Sequence, residues 1–571
     1  MAVLLLGLCL GLLLVALAIW ALSGRVRTFS LGLLATLGLV TLLGLPAAQL
    51  SGHLPPQTGF VWGTLNDTAL ELRFASDSLP TFFSSIWLLC AIIISGGLAS
   101  TFGRTTRAFG LVFAGLLILV LGGLLTIFSA TPIGVWLGLG TTWMGGTIMQ
   151  QTTTAHNREA TLSGLPILVL ALAVLVYAAT PTLAGAQVLG GPWLAGCALL
   201  IGLAPRWGTT TTAPLLVRAP TTALGLPLLS GYLFVRYATE TAPTWSQQTT
   251  AAVLLVGVSG LLLGAVNAVA ARRLMEAFSG QLVAQLALLA VTFGTGQPAA
   301  GPIAIGLLAH TAVTSTSIAL AAGQLERVTR DDRFATLPPL PQPLRRAGIA
   351  YGLAAMSCAG LPPLLGYALR RVVLLLAPAQ PWLPPVLLAG STLLALSYLP
   401  TLVAFFRRPA FRSPLAAVEQ RGGGWPLLLM TGLLLGGLVP DNIWQWILGD
   451  PSVTGPQAPP LAAIISTAVT TLIVLLAFGL VNRALRHPRP GVQFGGGEPL
   501  DEEPGWTLPF VALRAMLWPL VVPEPGPLHA LWQWLARQRE RFSAPWHLLE
   551  RRYYLALVVV SLITVLLLAA Q

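Results

Sequence analysis

The chain contains no lysine. Its 31 basic residues are therefore all arginine, set against 19 acidic residues, and charged side chains make up only 9% of its 571 residues. A soluble domain carries roughly 25% charged residues, so a water-soluble globule is excluded. Scarce charge beside 55% hydrophobic residues and a mean hydropathy of +0.79 equally excludes a disordered chain, which needs the opposite balance. Cysteine is scarce too. Cys9, Cys90, Cys197 and Cys358 sit singly in apolar stretches, without CxxC or metal-ligand spacing, and read as small core- or lipid-facing residues. No P-loop, GxGxxG, HExxH or Cys/His cluster occurs, so neither soluble-enzyme chemistry nor a cofactor is expected in this chain. The runs Gly422 to Gly424 and Gly495 to Gly497 read as flexible connectors.

What is abundant is apolar length. At about 20 residues per crossing, windows bounded by charge or Gly/Pro clusters give sixteen candidate spans: 3–23, 29–49, 80–101, 108–128, 130–149, 160–180, 191–205, 220–238, 250–271, 277–294, 301–322, 347–369, 383–406, 425–440, 460–481 and 552–570. The expected fold is an all-α polytopic membrane bundle of about sixteen helices. Five regions follow from it: N-terminal helices in 1–49, an external loop or hairpin in 50–79, the main bundle in 80–481, an interfacial stretch in 482–549 and a last helix in 550–571. The first window has no charged n-region and no small-residue cleavage site, so a retained helix is expected. The period-two run Ala69 to Phe74 predicts a strand in the external loop. Leu528 to Phe542, with Trp534 among arginines, predicts an amphipathic segment on the membrane surface.

The net charge of +12 raises a nucleic-acid reading, but arginine placement answers it. Alternate loops hold Arg25/Arg27, Arg104/Arg107, Arg158, Arg206/Arg218, Arg272/Arg273, Arg327 to Arg346, Arg407 to Arg412 and Arg483 to Arg489, while the intervening loops are almost uncharged. That alternation is the positive-inside pattern. It predicts an inner (plasma) membrane protein with its N-terminus outside and arginine-rich loops in the cytoplasm, with lipids and no nucleic acid as partners. Arg236 and the pair Arg370/Arg371 break the alternation.

One motif stands out: Ser357-Cys-Ala-Gly-Leu-Pro-Pro-Leu-Leu-Gly-Tyr367. Pro362 and Pro363 remove backbone donors inside an apolar window and break the helix, and broken helices at membrane depth line a cavity or an ion path. The run resembles the S-x-A-G-L-P-P-x-x-G-F signature of the antiporter-like membrane subunits of respiratory complex I, membrane-bound hydrogenases and multisubunit sodium/proton antiporters. Arg272 to Ser279 with Gln285, Ala219-Pro-Thr221, His310 to Thr314 and Leu70 to Phe82 resemble further family segments in the same order, across roughly residues 60–480. The resemblance implies two inverted five-helix repeats with broken helices, and partner membrane subunits in a complex that couples electron transfer to proton or sodium translocation. This chain itself would hold no flavin, iron–sulfur or quinone chemistry.

By that resemblance, conducting members use a fifth-helix glutamate and a row of lysines or histidines. Here the fifth window, Pro132 to Gln150, has no acid, Thr314 stands in a lysine slot, Arg206 stands in the slot of the broken seventh helix, and Arg370 follows the GLPP break of Gly360, Leu361, Pro362 and Pro363. Arginine stays charged where a desolvated lysine releases its proton, so a depleted path and a scaffolding role are expected. The proton-path candidates are Arg206, His310 and Arg370. Each arginine has two open readings, structural snorkelling or membership of a polar axis. His310 has two as well, core histidine or relay. Alternatives at the level of function are a subunit energising uptake of inorganic carbon or another solute, and an unrelated secondary transporter with a kinked-helix site.

Overall fold

A computed structural model of the chain describes residues 2–46, 57–151, 215–329 and 345–406, short breaks apart, with Arg333 and the strand pair 494–495 and 498–499. The expected spans 160–180, 191–205, 425–440, 460–481 and 552–570, the interfacial segment and Arg206 lie outside the described residues, as do Pro362 and Pro363.

Apart from the strand pairs, the described chain is helical. In order come α1 (Ala2–Leu22), α2 (Thr28–Leu42), strands β1 (Gln57–Leu65) and β2 (Thr68–Ala75), α3 (Ser78–Thr101), α4 (Arg107–Phe128) and α5 (Pro132–Gln151). Then follow α6 (Leu215–Leu224), α7 (Leu226–Thr241), α8 (Gln247–Val269), α9 (Leu274–Gly294), α10 (Ala300–Thr329), α11 (Arg345–Ala359), α12 (Leu365–Leu375) and α13 (Leu383–Phe406). Six of these helices are long and apolar enough to cross a membrane. Hydroxyls inside them cost little, because Ser84, Thr126, Thr142, Ser230 and Thr292 each donate back to a carbonyl three or four residues upstream. Ser246 caps α8, its Oγ accepting from the Thr249 amide at 3.1 Å.

The expected external strand is half of an antiparallel hairpin, β1 pairing β2 with an irregularity between Val61 and Gly63. Buried Phe74 ties it to the bundle through a bridge to Ser129, in the connection between α4 and α5.

Two corrections concern the middle of the chain. The window 220–238, expected as one span, is two helices broken at Gly225, with Pro227 in the first turn of α7. Proline has no N–H to continue the α6 ladder, yet it is tolerated where a helix begins. Ala219-Pro-Thr221 lies inside α6. Arg218, expected in a loop, is buried on α6.

Packing centres on α9, which buries 94% of its apolar window, against 44% for each of α8 and α13. Helix pairs α4/α5 and α8/α9 approach backbone to backbone. Gly115 faces Gly145 and Gly122 faces Gly138, so that a Cβ on any of them would meet main chain of the opposite helix; Gly264 and Gly280 repeat the device between α8 and α9. Lipid gives helices no hydrophobic drive to associate, so close van der Waals approach at small residues supplies it.

Candidate functional site

The GLPP segment ends α11 in a defined way. Gly360 adopts φ +77, its amide bonds the Ser357 carbonyl at 3.0 Å, and the Leu361 amide bonds the Met356 carbonyl at 3.0 Å. This is a Schellman ending, which calls for glycine at the left-handed position. Two carbonyls of the last turn remain. Arg370 on α12 takes both, donating to Ala359 O at 3.4 Å and to Cys358 O, while also donating to the Ser391 hydroxyl of α13. The guanidinium thus lies at the negative end of a helix dipole. Its neighbour Arg371 has a buried Nε with no hydrogen-bond partner.

His310 comes to the same break from α10. Its Nε2 lies 2.8 Å from Ser357 Oγ, with the tautomer setting which of the two donates, and the Gly366 amide donates to that hydroxyl at 3.2 Å. A Cβ on Gly366 would lie 2.9 Å from His310 Nε2. The motif residues therefore have distinct tasks: Ser357 holds histidine and broken backbone together, Gly360 turns the chain, and Gly366 leaves room for the imidazole.

From here a polar thread runs sideways. Thr314, one turn below His310, donates to Gln285 Oε1 at 3.1 Å; Gln285 Nε2 donates to Cys358 Sγ at 3.0 Å and to Tyr398 OH at 3.2 Å. Gln281 donates to Ser397 Oγ at 3.1 Å. The thread joins α9, α10, α11 and α13, and all its members are buried. It consists of amides, hydroxyls, a thiol and one imidazole. Among the described helical residues the carboxylates are Glu240, Glu276 and Glu326, each within a turn or so of a helix end.

Sequence reading missed two cationic contacts. Arg236 Nη1, buried on α7, donates to Ser129 O at 2.5 Å and to Ile127 O at 3.3 Å, and Tyr232 OH joins at Ile127 O at 2.8 Å. This exception to the arginine alternation closes the C-terminal end of α4, where carbonyls lack intrahelical donors. Arg218 Nη2 lies 3.9 Å from Glu326 Oε1, binding α6 to α10. Neither contact is visible in sequence, because the partners stand some hundred residues apart.

Of the three path candidates, the structure brings His310 and Arg370 to one break, on either side of Ser357 and Cys358; Arg206 lies outside the described residues. Among the described residues no group of three or more His, Cys, Asp or Glu could hold a metal ion.

Comparison with known proteins gives a consistent picture. The transmembrane family described as NADH:quinone oxidoreductase/Mrp antiporter matches residues 209–396, a stretch that includes both helix breaks, His310 and Arg370. No curated protein sequence matches the chain. Among solved structures, a chain of the membrane-bound sulfane sulfur reductase, an archaeal respiratory membrane complex, has a TM-score of 0.64 at 17% identity, covering 97% of this chain and 99% of that one. A chain of the Mrp complex from Dietzia sp. DQ12-45-1b has a TM-score of 0.62 at 17% identity, covering 94% of this chain and 62% of that one. A chain of respiratory complex I from Thermus thermophilus has a TM-score of 0.59 at 18% identity, covering 82% and 99%. The fold is thus shared with subunits of three multisubunit membrane assemblies.

Proposed function

From a multi-pass chain whose residues 209–396 match the transmembrane family described as NADH:quinone oxidoreductase/Mrp antiporter, we propose an antiporter-like membrane-arm subunit of a complex I-like or hydrogenase-type assembly coupling electron transfer to proton translocation. Within it the chain acts chiefly as a scaffold between neighbouring membrane subunits, and its own proton path is depleted.

One observation carries this reading. Where the fifth span of conducting relatives is held to place an acid, α5 has glycines packed onto the backbone of α4, and the polar thread around the second break contains a single titratable imidazole and a permanently charged arginine already engaged by helix-end carbonyls. A proton crossing ~30 Å of hydrocarbon needs groups that both gain and lose it near neutral pH, and arginine does not. The two glycine-packed pairs α4/α5 and α8/α9 support the two-repeat architecture, since with the N-terminus outside they run through the bilayer in opposite senses.

The test is reconstitution of the purified assembly with His310→Ala, Arg370→Ala or Arg206→Ala. Electron transfer and proton pumping should persist together in every variant that assembles. Loss of pumping from an assembled, electron-transferring complex defeats the scaffold reading and makes the path active.

A further inference from the structure

The break between α6 and α7 borders a small cavity, about 20 Å³, lined by Thr142, Trp143 and Gln150 of α5, Thr221 and Thr222 of α6, and Pro227 of α7 among others. A cavity of roughly 10–15 Å³ or more with two to four polar partners is enough for one water molecule, so volume permits occupancy. The chemistry of the wall favours it. Each threonine spends its single proton on main chain: Thr142 Oγ1 donates to Gly138 O at 2.9 Å, Thr221 Oγ1 to Arg218 O at 2.6 Å and Thr222 Oγ1 to Arg218 O at 3.0 Å. A hydroxyl has one proton and two lone pairs. Thr142 and Thr222 thus keep both acceptor sites, and Thr221 keeps one after accepting from Gln150 Nε2 at 3.0 Å.

We propose that this cavity binds one ordered water molecule, held as a double hydrogen-bond donor between the α5 and α6 threonines. The C-terminal end of α6 contributes partial negative charge to the same spot. The water's own lone pairs then remain available, so the site receives donors and small positive charge and rejects anions. It places a hydrogen-bonding group in the acid-free fifth span without any titratable side chain. The inference stands apart from the scaffold reading, since a single water neither completes nor abolishes a path.

The experiment is radiolytic hydroxyl footprinting of the intact assembly in ¹⁸O-labelled water, read at Trp143, with thermal unfolding alongside. Bound water should label Trp143, which is only partly exposed, and that label is judged against the variants. The double variant Thr142→Val, Thr222→Val should lose that label and unfold at lower temperature, and Thr222→Ser, which retains the hydroxyl, should keep both the label and the fold. Absence of label in the unsubstituted chain overturns the proposal. So does a double variant that labels equally or unfolds at a higher temperature, as expected of polar groups removed from a dry void. A stabilisation by sodium over choline that disappears in the double variant would make the occupant a cation and overturn it too.

Discussion

Helices α4 and α5 meet through glycine, main chain against main chain. Helices α9, α10, α11 and α13 meet through Gln285, Thr314, His310, Ser357 and Tyr398. Both are answers to one problem, holding helices together in a solvent as apolar as their side chains. The glycine contact brings main chain against main chain, so what it fixes is distance. The amide and hydroxyl contact fixes distance and also leaves exchangeable protons inside the bundle. The difference teaches that the two regions solve that problem by different means: the first sets main chain against main chain, while the second holds a hydrogen-bonded interior that has one imidazole and, among its described members, no acid or lysine.

The comparison breaks most readily at the glycine seam. Gly138→Val drives two methyl groups into the main chain of α4, and overpacking at such a site should cost about 3 kcal/mol; the check is thermal unfolding and recovery of the assembled complex. A variant that assembles with unchanged stability would mean the seam is loose and has room for water. Next comes Arg236→Ala, which strips charged donors from the Ile127 and Ser129 carbonyls and should cost about 2 kcal/mol, measured the same way. Arg370→Lys sharpens the contrast. It retains charge and introduces the relay residue type, yet an ammonium cannot span the Cys358, Ala359 and Ser391 oxygens as a planar fork does. Stability should fall by about 1.5 kcal/mol, with no gain of proton flux in liposomes because α5 offers no partner acid. A gain of flux would show that one lysine suffices to restore conduction. The smallest effect belongs to Thr314→Val, which cuts the thread between His310 and Gln285. Interhelical hydrogen bonds in membranes average about 0.6 kcal/mol, and hydrogen–deuterium exchange of α9 and α10 amides would detect that loosening.

How much of this was legible follows from the range of the interactions. Spans came from composition over about 20 residues, and every expected window inside the described chain holds a helix. The break at Gly360 was readable because two prolines interrupt an apolar run. The break at Gly225 was not, since Pro220 at the start of the window reads as a beginning and Pro227 follows it within two turns; what makes it a break is α6, which lies against α10 through Arg218 and Glu326. The site was legible as a set of suspects and not as an arrangement. His310, Ser357 and Arg370 could each be named, but that the histidine bonds the motif serine, and that the arginine closes the very helix the motif breaks, depends on contacts 47 and 12 residues apart in sequence. Arg236 shows the limit from the other side. As an arginine outside the loop pattern it looked anomalous, and it takes a carbonyl 107 residues away to make it a cap.

Helix α10 has a further consequence. Its 30 residues, rising 1.5 Å each, make a rod about 45 Å long, half as long again as the ~30 Å oily layer it crosses. A rod of that length tilts in the lipid or extends beyond it, and Glu326, in its last turn, clips it to α6. Because α10 is one continuous helix, a displacement of its Glu326 end is carried along the rod to His310, about a third of the way from its start, and so to Ser357 at the buried break.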